Sequence, residues 1–169
     1  MTDLTRRTLG AAVAATAFAA SSASAEPKPV AIESIEKDAD HCTVYHLDFG
    51  EPRRYSQLLD NVRNHFAYYD FSPMACKIVI VAHSVGIKFF LSDLAGTPWA
   101  AETLDPDLAK RMDALGMYGV QVVLCRTTFE KNNIAPARAR QAEWLGMVQA
   151  GIVTAASLQN KGFAYIKIG

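Results

Sequence analysis

The sequence has no excess of charge of either sign. Its 169 residues include 17 basic and 17 acidic side chains, so there is no electrostatic basis for binding nucleic acid or an anionic membrane surface. It also lacks internal repeats and low-complexity tracts, and half of its residues are hydrophobic. This composition is that of one ordinary globular domain.

Several sequence motifs of enzyme chemistry are missing. There is no G-x-G-x-x-G pattern, no phosphate-binding loop and no G-x-S-x-G turn, which leaves nucleotide chemistry and serine hydrolysis without their motifs. There is no C-x-x-C or H-x-x-x-H pair, and the four histidines are scattered along the chain. The sequence therefore predicts no metal site and no cofactor.

The first 25 residues are organised like an export signal. Arg6 and Arg7 precede a short, alanine-rich apolar segment, and the stretch ends in Ala-Ser-Ala. This pattern predicts a signal peptide over residues 1–25, of the twin-arginine type and cleaved after Ala25. A general secretory signal is the alternative interpretation. The apolar segment is too short for a membrane anchor, because a spanning helix needs about 20 apolar residues.

Removal of this signal would leave one domain over residues 26–169. No later segment is apolar for long enough to span a bilayer. Export places such a domain in an oxidising compartment. The sequence thus predicts a periplasmic protein that contacts neither nucleic acid nor, after signal removal, a membrane.

Predicted strands and helices alternate along this domain. The segment CTVYHLDF predicts a first strand, and the continuous apolar runs KIVIVAH and GVQVVLC predict strands buried on both faces of a parallel sheet. Helical spacing follows in residues 52–69, 84–94 and 106–116, with Ser84 as a candidate cap. A last helix in IVTAASLQNKG precedes an edge strand, FAYIKI. We therefore expect an open, mostly parallel α/β sheet with helices on both faces, a three-layer, flavodoxin-like arrangement.

Polar residues follow the predicted strands at their carboxyl ends, where ligands collect in such a sheet. His46 and Asp48 end the first strand, His83 the second and Cys125 the third. His83 could serve as a base near Cys125 if the two strands are neighbours, or could be a structural histidine that caps the next helix. His46 is a weaker candidate that could simply line its strand.

Cys125 is the strongest candidate for chemistry. Thr127 and Glu130 fit the capping-box pattern, which predicts a helix beginning right after the cysteine. Unpaired N–H groups at such a helix start, with Arg126 nearby, would favour the thiolate. A thiolate can attack a sulfane sulfur or carry one as a persulfide. Position alone is equally compatible with a small buried residue that closes a strand.

The other two cysteines, Cys42 and Cys76, begin the first two strands at the same end of the predicted sheet. Neighbouring parallel strands could bring them within disulfide range, although the direction of their side chains is not given by the sequence. If they paired, Cys125 would be the odd thiol that marks a reactive cysteine in an exported protein.

Three segments together resemble the DsrE/DsrF-like family of sulfur-relay proteins: KIVIVAHSVGIKFF, VQVVLCRTTFEKNNI and VQAGIVTAASLQNKGFAYIKI. The resemblance extends over about residues 42–168, and the terminal segment is its most specific part. It implies a compact α/β fold, homo-oligomers or related hetero-oligomers, and a cysteine that carries sulfur as a persulfide. That role falls on Cys125, with His83 matching the family's strand-end histidine.

The leading hypothesis is a periplasmic sulfur-binding or sulfur-transfer protein, a carrier rather than a multi-turnover enzyme. Its expected partners are a sulfur donor or acceptor protein, a small sulfur compound, and further copies of the chain. The alternative hypothesis is a non-catalytic ligand-binding or assembly module of the same fold with an inert cysteine. The expected site residues are Cys125 and His83 for catalysis, and Arg126, Thr127, Ser84 and His46 for ligand binding.

Overall fold

The computed structural model describes residues 25–169, and the predicted export signal lies outside them apart from Ala25. These residues form one sheet of six parallel strands in the order β1-β5-β4-β3-β2-β6. The strands are β1 (Lys28–Pro29), β2 (His41–Leu47), β3 (Cys76–Ala82), β4 (Gln121–Cys125), β5 (Leu145–Val148) and β6 (Ala164–Lys167). The expected open parallel α/β sheet is confirmed.

The sheet separates two apolar cores, because successive side chains of a strand point to opposite faces. The larger core is covered by α1 (Pro52–Tyr68), α2 (Pro106–Met117) and α3 (Arg126–Lys131), and the smaller core is covered by α4 (Gly151–Asn160). Helix α1 begins with a proline in its first turn, and α2 begins after Asp105, whose carboxylate accepts a hydrogen bond from the Asp107 N–H at 2.9 Å. Both starts follow the patterns in the sequence.

The connections that follow β4 and β5 leave the sheet on opposite faces. Helix α3 follows β4 and places Phe129 in the larger core. Helix α4 follows β5 and places Ala155 and Leu158 in the smaller core, then leads back to β6 at the far edge beside β2. The carboxyl ends of β4 and β5 therefore flank a topological switch point, the place where open α/β sheets form ligand crevices.

The segment after β3 differs from its prediction. It is a 3-10 helix over Ser84–Phe90, and Ser84 is not its cap, because the capping position is His83 and no side chain caps it. All residues from Gly86 to Phe90 are buried, so this part of the segment lacks the solvent-facing side that a surface α-helix has. Tertiary packing has overridden the helical spacing.

Two further features of the fold involve tryptophan rings. Helix α2 continues past Gly116 to Met117, and a β-carbon at Gly116 would overlap the ring of Trp144. This glycine therefore serves close packing, and it does not end the helix. Trp99, in the loop that precedes α2, packs partly buried against the larger core.

Cys42 and Cys76 do not form a disulfide. Cys42 lies in the smaller core and Cys76 in the larger one, on opposite faces of the sheet. The register pairs Cys42 with Lys77 and Cys76 with His41, and this offset by one residue turns the two side chains apart. In the part of the chain that the structure describes, all three thiols are free.

Within residues 25–169, no helix has both the length and the apolar composition required to cross a bilayer.

We predict that Gly86→Ala destabilises the protein by about 2 kcal/mol or more, because a β-carbon there would overlap the backbone carbonyl of Leu47, which cannot move aside as a side chain can. Urea unfolding followed by circular dichroism measures the change. The matched control is Gly169→Ala, whose new methyl group would meet nothing within 4 Å. Equal stability of the two variants would contradict the packing at Gly86.

Candidate functional site

Three polar side chains extend the rows of valines that form the smaller core. His46 follows Val44 on β2, His83 follows Val81 beyond β3, and Cys125 follows Val123 on β4, each two residues further along. Since side chains two residues apart on a strand share a face, all three lie on the α4 side of the sheet. They sit at its carboxyl edge.

The register of β2 and β3 places the two histidines side by side. Leu47 pairs with Ala82, and the His83 N–H continues the ladder by donating to the Leu47 carbonyl at 3.0 Å. The Nε2 atoms of His46 and His83 are then 2.5 Å apart, with one of them carrying the shared proton. His46 is buried and His83 is half-buried, so the pair is open to solvent on the His83 side.

Gly151, the first residue of α4, lies between His83 and Cys125. A β-carbon on Gly151 would be 2.9 Å from the His83 Cβ and 3.1 Å from the Cys125 Cβ. Both distances are shorter than van der Waals contact, so only glycine lets α4 begin this close to the sheet. The predicted neighbours His83 and Cys125 do come together, on either side of one glycine.

The Cys125 thiol is buried, and a backbone carbonyl lies near its sulfur. Its side chain is buried, with 6% of the residue exposed, yet Cys125 belongs to neither apolar core, whereas Cys42 and Cys76 each belong to one. Its sulfur lies 3.9 Å from the carbonyl oxygen of Gln149, at the end of β5. Burial raises the pKa of the Cys76 thiol, with the nearby Cys42 adding to the effect.

Helix α3 begins directly after Cys125, as predicted, but the proposed capping box is wrong. Cys125 occupies the cap position, but its side chain accepts no hydrogen bond from the N–H groups at the start of α3, and Thr127 lies within the first turn. The Thr127 hydroxyl donates to the Gln149 carbonyl at 2.8 Å, and its N–H donates to the same oxygen at 3.1 Å. Thr127 therefore ties α3 to the end of β5, because that carbonyl is the acceptor within reach.

Arg126 and Ser84 lie at the rim of this region. The Arg126 guanidinium donates to a carboxylate oxygen of Glu26 at 3.0 Å, so its charge has a partner near the start of the described residues. Ser84 is exposed, has a left-handed φ of 52°, and donates its backbone N–H to the Thr128 hydroxyl at 3.1 Å. That bond connects the 3-10 segment to α3.

Two residues of β6 complete the histidine pair, and neither was predicted. The Tyr165 hydroxyl is 2.5 Å from Nδ1 of His46, and the Lys167 ammonium donates to a carboxylate oxygen of Asp48 at 2.7 Å. The alternation in FAYIKI indicates an edge strand but does not say which strand it pairs with. The return of β6 to β2 decides that Tyr165 and Lys167 reach this site.

The ionisation of these groups follows from burial and from the charges around them. Burial lowers the pKa of both His46 and His83, and the carboxylate of Asp48 opposes this only in part. Burial acts to raise the pKa of Asp48, but the hydrogen bond from Lys167 and the charges nearby keep it below its usual range. At neutral pH the site therefore holds two neutral imidazoles beside a carboxylate paired with an ammonium group.

Comparison with protein families matches residues 57–168 to the model of the DsrE/DsrF-like family. The match covers more than half of the chain. This chain belongs to the DsrE/DsrF-like family. The matched part of this DsrE/DsrF-like protein includes His83, Cys125 and Gly151, whereas His46 and Asp48 precede it.

The fold also has a relative among solved structures. A protein of unknown function from Methanobacterium thermoautotrophicum superposes with a TM-score of 0.60 at 23% sequence identity, over 76% of this chain and 99% of the other. At that identity the likeness concerns the fold. No curated protein matches the sequence.

We predict that the protein loses stability as the pH falls from about 7 to 5. A histidine whose pKa is lower in the folded than in the unfolded chain contributes stability that is fully present above the unfolded value of about 6.5 and is lost below it. Burial lowers the pKa of His46, His83 and His65, so all three contribute stability in this way. Urea unfolding at a series of pH values measures the slope. His83→Gln should reduce the slope without abolishing it, and an unchanged slope would contradict the assignment.

Proposed function

We propose that this DsrE/DsrF-like protein is a periplasmic sulfur carrier in which Cys125 receives a sulfane sulfur and holds it as a persulfide. The observation that carries the proposal is the position of Cys125, beside His83 at the topological switch point and outside both apolar cores. Membership in the DsrE/DsrF-like family supports a role of the sulfur-relay type.

The proposed step is a sulfur exchange at the Cys125 thiolate. The thiolate attacks the outer sulfur of thiosulfate, a new S–S bond forms as the original S–S bond breaks, and sulfite leaves with the bonding electron pair. A persulfide donor reacts in the same way and leaves as a thiolate. The sulfur is delivered when an acceptor thiolate attacks the outer sulfur of Cys125, which regenerates the starting thiolate.

His83 is the group proposed to accept the thiol proton before the attack. Its low pKa leaves the imidazole neutral at pH 7, and a neutral imidazole can accept a proton. The cover over Cys125 favours a small inorganic donor over a folded protein donor, since only 6% of the residue is exposed. Thr127 and Ser84 would shape the rim that such a donor crosses.

Location and association are further parts of the proposal. The paired arginines and short apolar segment of residues 1–25 support export to the periplasm. Ile152 and Val153 in the first turn of α4 are 62% and 51% exposed, and Tyr165 on β6 is 41% exposed. Exposed apolar side chains such as the adjacent Ile152 and Val153 support association with further copies of the chain or with a sulfur acceptor.

The alternative is an inert module of the same fold, and the burial of the Cys125 side chain favours this alternative. In that case the protein would bind a small ligand or assemble without sulfur chemistry. Arg138 and Arg140 could bind an anion in such a module, but both are engaged in ion pairs, Arg138 with Asp93 at 2.6 Å and Arg140 with Asp113. The reactivity of the Cys125 thiol distinguishes the sulfur-carrier hypothesis from the inert-module hypothesis.

We predict that incubation of the full chain with thiosulfate or polysulfide adds the mass of one sulfur atom. Intact-mass spectrometry before and after reduction measures the adduct, which should be absent in Cys125→Ser. The matched control is Cys42→Ala, which removes a cysteine from the same sheet face at the opposite end of the strands and should still gain the sulfur. An unmodified parent protein with every donor would overturn the proposal.

We further predict that iodoacetamide alkylates Cys125 at least about tenfold faster than Cys76 at pH 7 in the folded protein, because burial raises the pKa of the Cys76 thiol and leaves only 1% of Cys76 exposed, against 6% of Cys125. Peptide mapping by mass spectrometry assigns the label to each cysteine over time. Equally slow labelling of the two cysteines would favour the inert module.

A further inference from the structure

Three side chains with metal-ligating atoms meet at the carboxyl edge of β2 and β3. One nitrogen each from His46 and His83 and one carboxylate oxygen of Asp48 all lie within 4.8 Å of one another. His46 is buried, and Asp48 and His83 are half-buried, so the cluster is held by the sheet and still reached by solvent. No motif spacing in the sequence pointed to it.

We propose that His46, His83 and Asp48 bind a divalent first-row transition metal ion, with Zn²⁺ as the representative. Two imidazoles and one carboxylate are a donor set that such ions accept, and three protein ligands leave a fourth position for water or a small anion. The harder carboxylate makes the set unsuited to Cu⁺, which prefers sulfur ligands. The metal site does not use Cys125, so it goes beyond the proposed sulfur chemistry.

The surroundings of His46 match those of a metal-bound histidine. Imidazoles that bind metals through one nitrogen hold the other in a hydrogen bond, which fixes the tautomer and the ring orientation. Nδ1 of His46 is 2.5 Å from the Tyr165 hydroxyl. If Nδ1 donates its proton to that oxygen, the lone pair of Nε2 points to His83 and Asp48.

The protonation states of the ligands also suit a metal ion. Metal binding requires neutral imidazole and ionised carboxylate, and the lowered pKa values of His46, His83 and Asp48 provide both at neutral pH. Lys167 opposes metal binding, because its ammonium nitrogen lies 2.7 Å from a carboxylate oxygen of Asp48 and its positive charge repels a cation. Metal binding must therefore displace Lys167 from this carboxylate.

Binding requires a small adjustment of the two rings. Two nitrogens at 2.0–2.1 Å from a tetrahedral ion are roughly 3.3 Å apart, whereas the facing Nε2 atoms are 2.5 Å apart. His83 is the half-buried partner and lies beyond the end of β3. A small rotation of its side chain opens the space, while His46 stays fixed by the strand.

The test is a titration of the full chain, prepared without an affinity tag, with Zn²⁺ in competition with a chromophoric chelator and with Co²⁺ followed by visible absorption. We expect one equivalent of metal per chain and the intense visible bands of four-coordinate Co²⁺. His83→Gln and Asp48→Asn should each weaken binding at least about tenfold, and Tyr165→Phe by about tenfold. Lys167→Met should strengthen binding, an effect that a merely structural cluster would not produce.

The controls separate this site from the thiol and from other histidines. His41→Gln removes an exposed histidine stacked on Tyr69 at the opposite end of β2 and should leave the affinity unchanged, and so should Cys125→Ser. Circular dichroism of each variant verifies folding. A parent protein that binds neither ion, or folded His83→Gln and Asp48→Asn variants with parental affinity, would overturn the proposal. Metal binding that survives in Cys125→Ser would stand even if no sulfur adduct forms.

Discussion

The site depends on one backbone interaction, the in-register parallel pairing of β2 with β3 and its extension to the hydrogen bond from the His83 N–H to the Leu47 carbonyl. This bond places His83, the first residue beyond β3, beside Leu47, the last residue of β2. Gly86 lets the following turn pack directly on the same carbonyl. A slip of one residue would turn His46 to the other face of the sheet, because side chains alternate along a strand.

The second constraint is the close approach of α4 to the same edge. The glycine at its first position leaves room for His83 and Cys125 on either side, and the connections that follow β4 and β5 leave the sheet on opposite faces. A bulkier first residue would force the helix outward or push the two side chains apart. The thiol and the imidazoles thus share one small region because a single helix covers this face.

His83 is the residue common to both proposed activities. Its β-carbon adjoins Cys125 across Gly151, and its Nε2 faces His46. A metal ion on this ring would withdraw its lone pair from proton transfer with the thiol, so metal binding and the proposed thiol activation by His83 would compete. The His83 ring can accept the thiol proton or bind a metal ion, because it is neutral, half-buried and follows the last residue of β3.

The sequence by itself determined the order and type of most elements, because continuous apolar runs such as KIVIVAH and helical spacing such as that of residues 52–69 have few other solutions in a folded chain. It also placed His46, His83 and Cys125 at strand ends.

Only the tertiary structure decided which of these strand ends lie next to each other, and on which face of the sheet their side chains lie. The pairing of β6 with β2 brings Tyr165 and Lys167 to His46 and Asp48, residues more than 100 positions away. Because α4 lies on the second face of the sheet, its first residue, Gly151, lies between His83 and Cys125. The Thr127 hydroxyl donates to the Gln149 carbonyl and does not cap α3 as the sequence predicted. Such contacts follow from strand order and crossover direction, which local spacing does not encode.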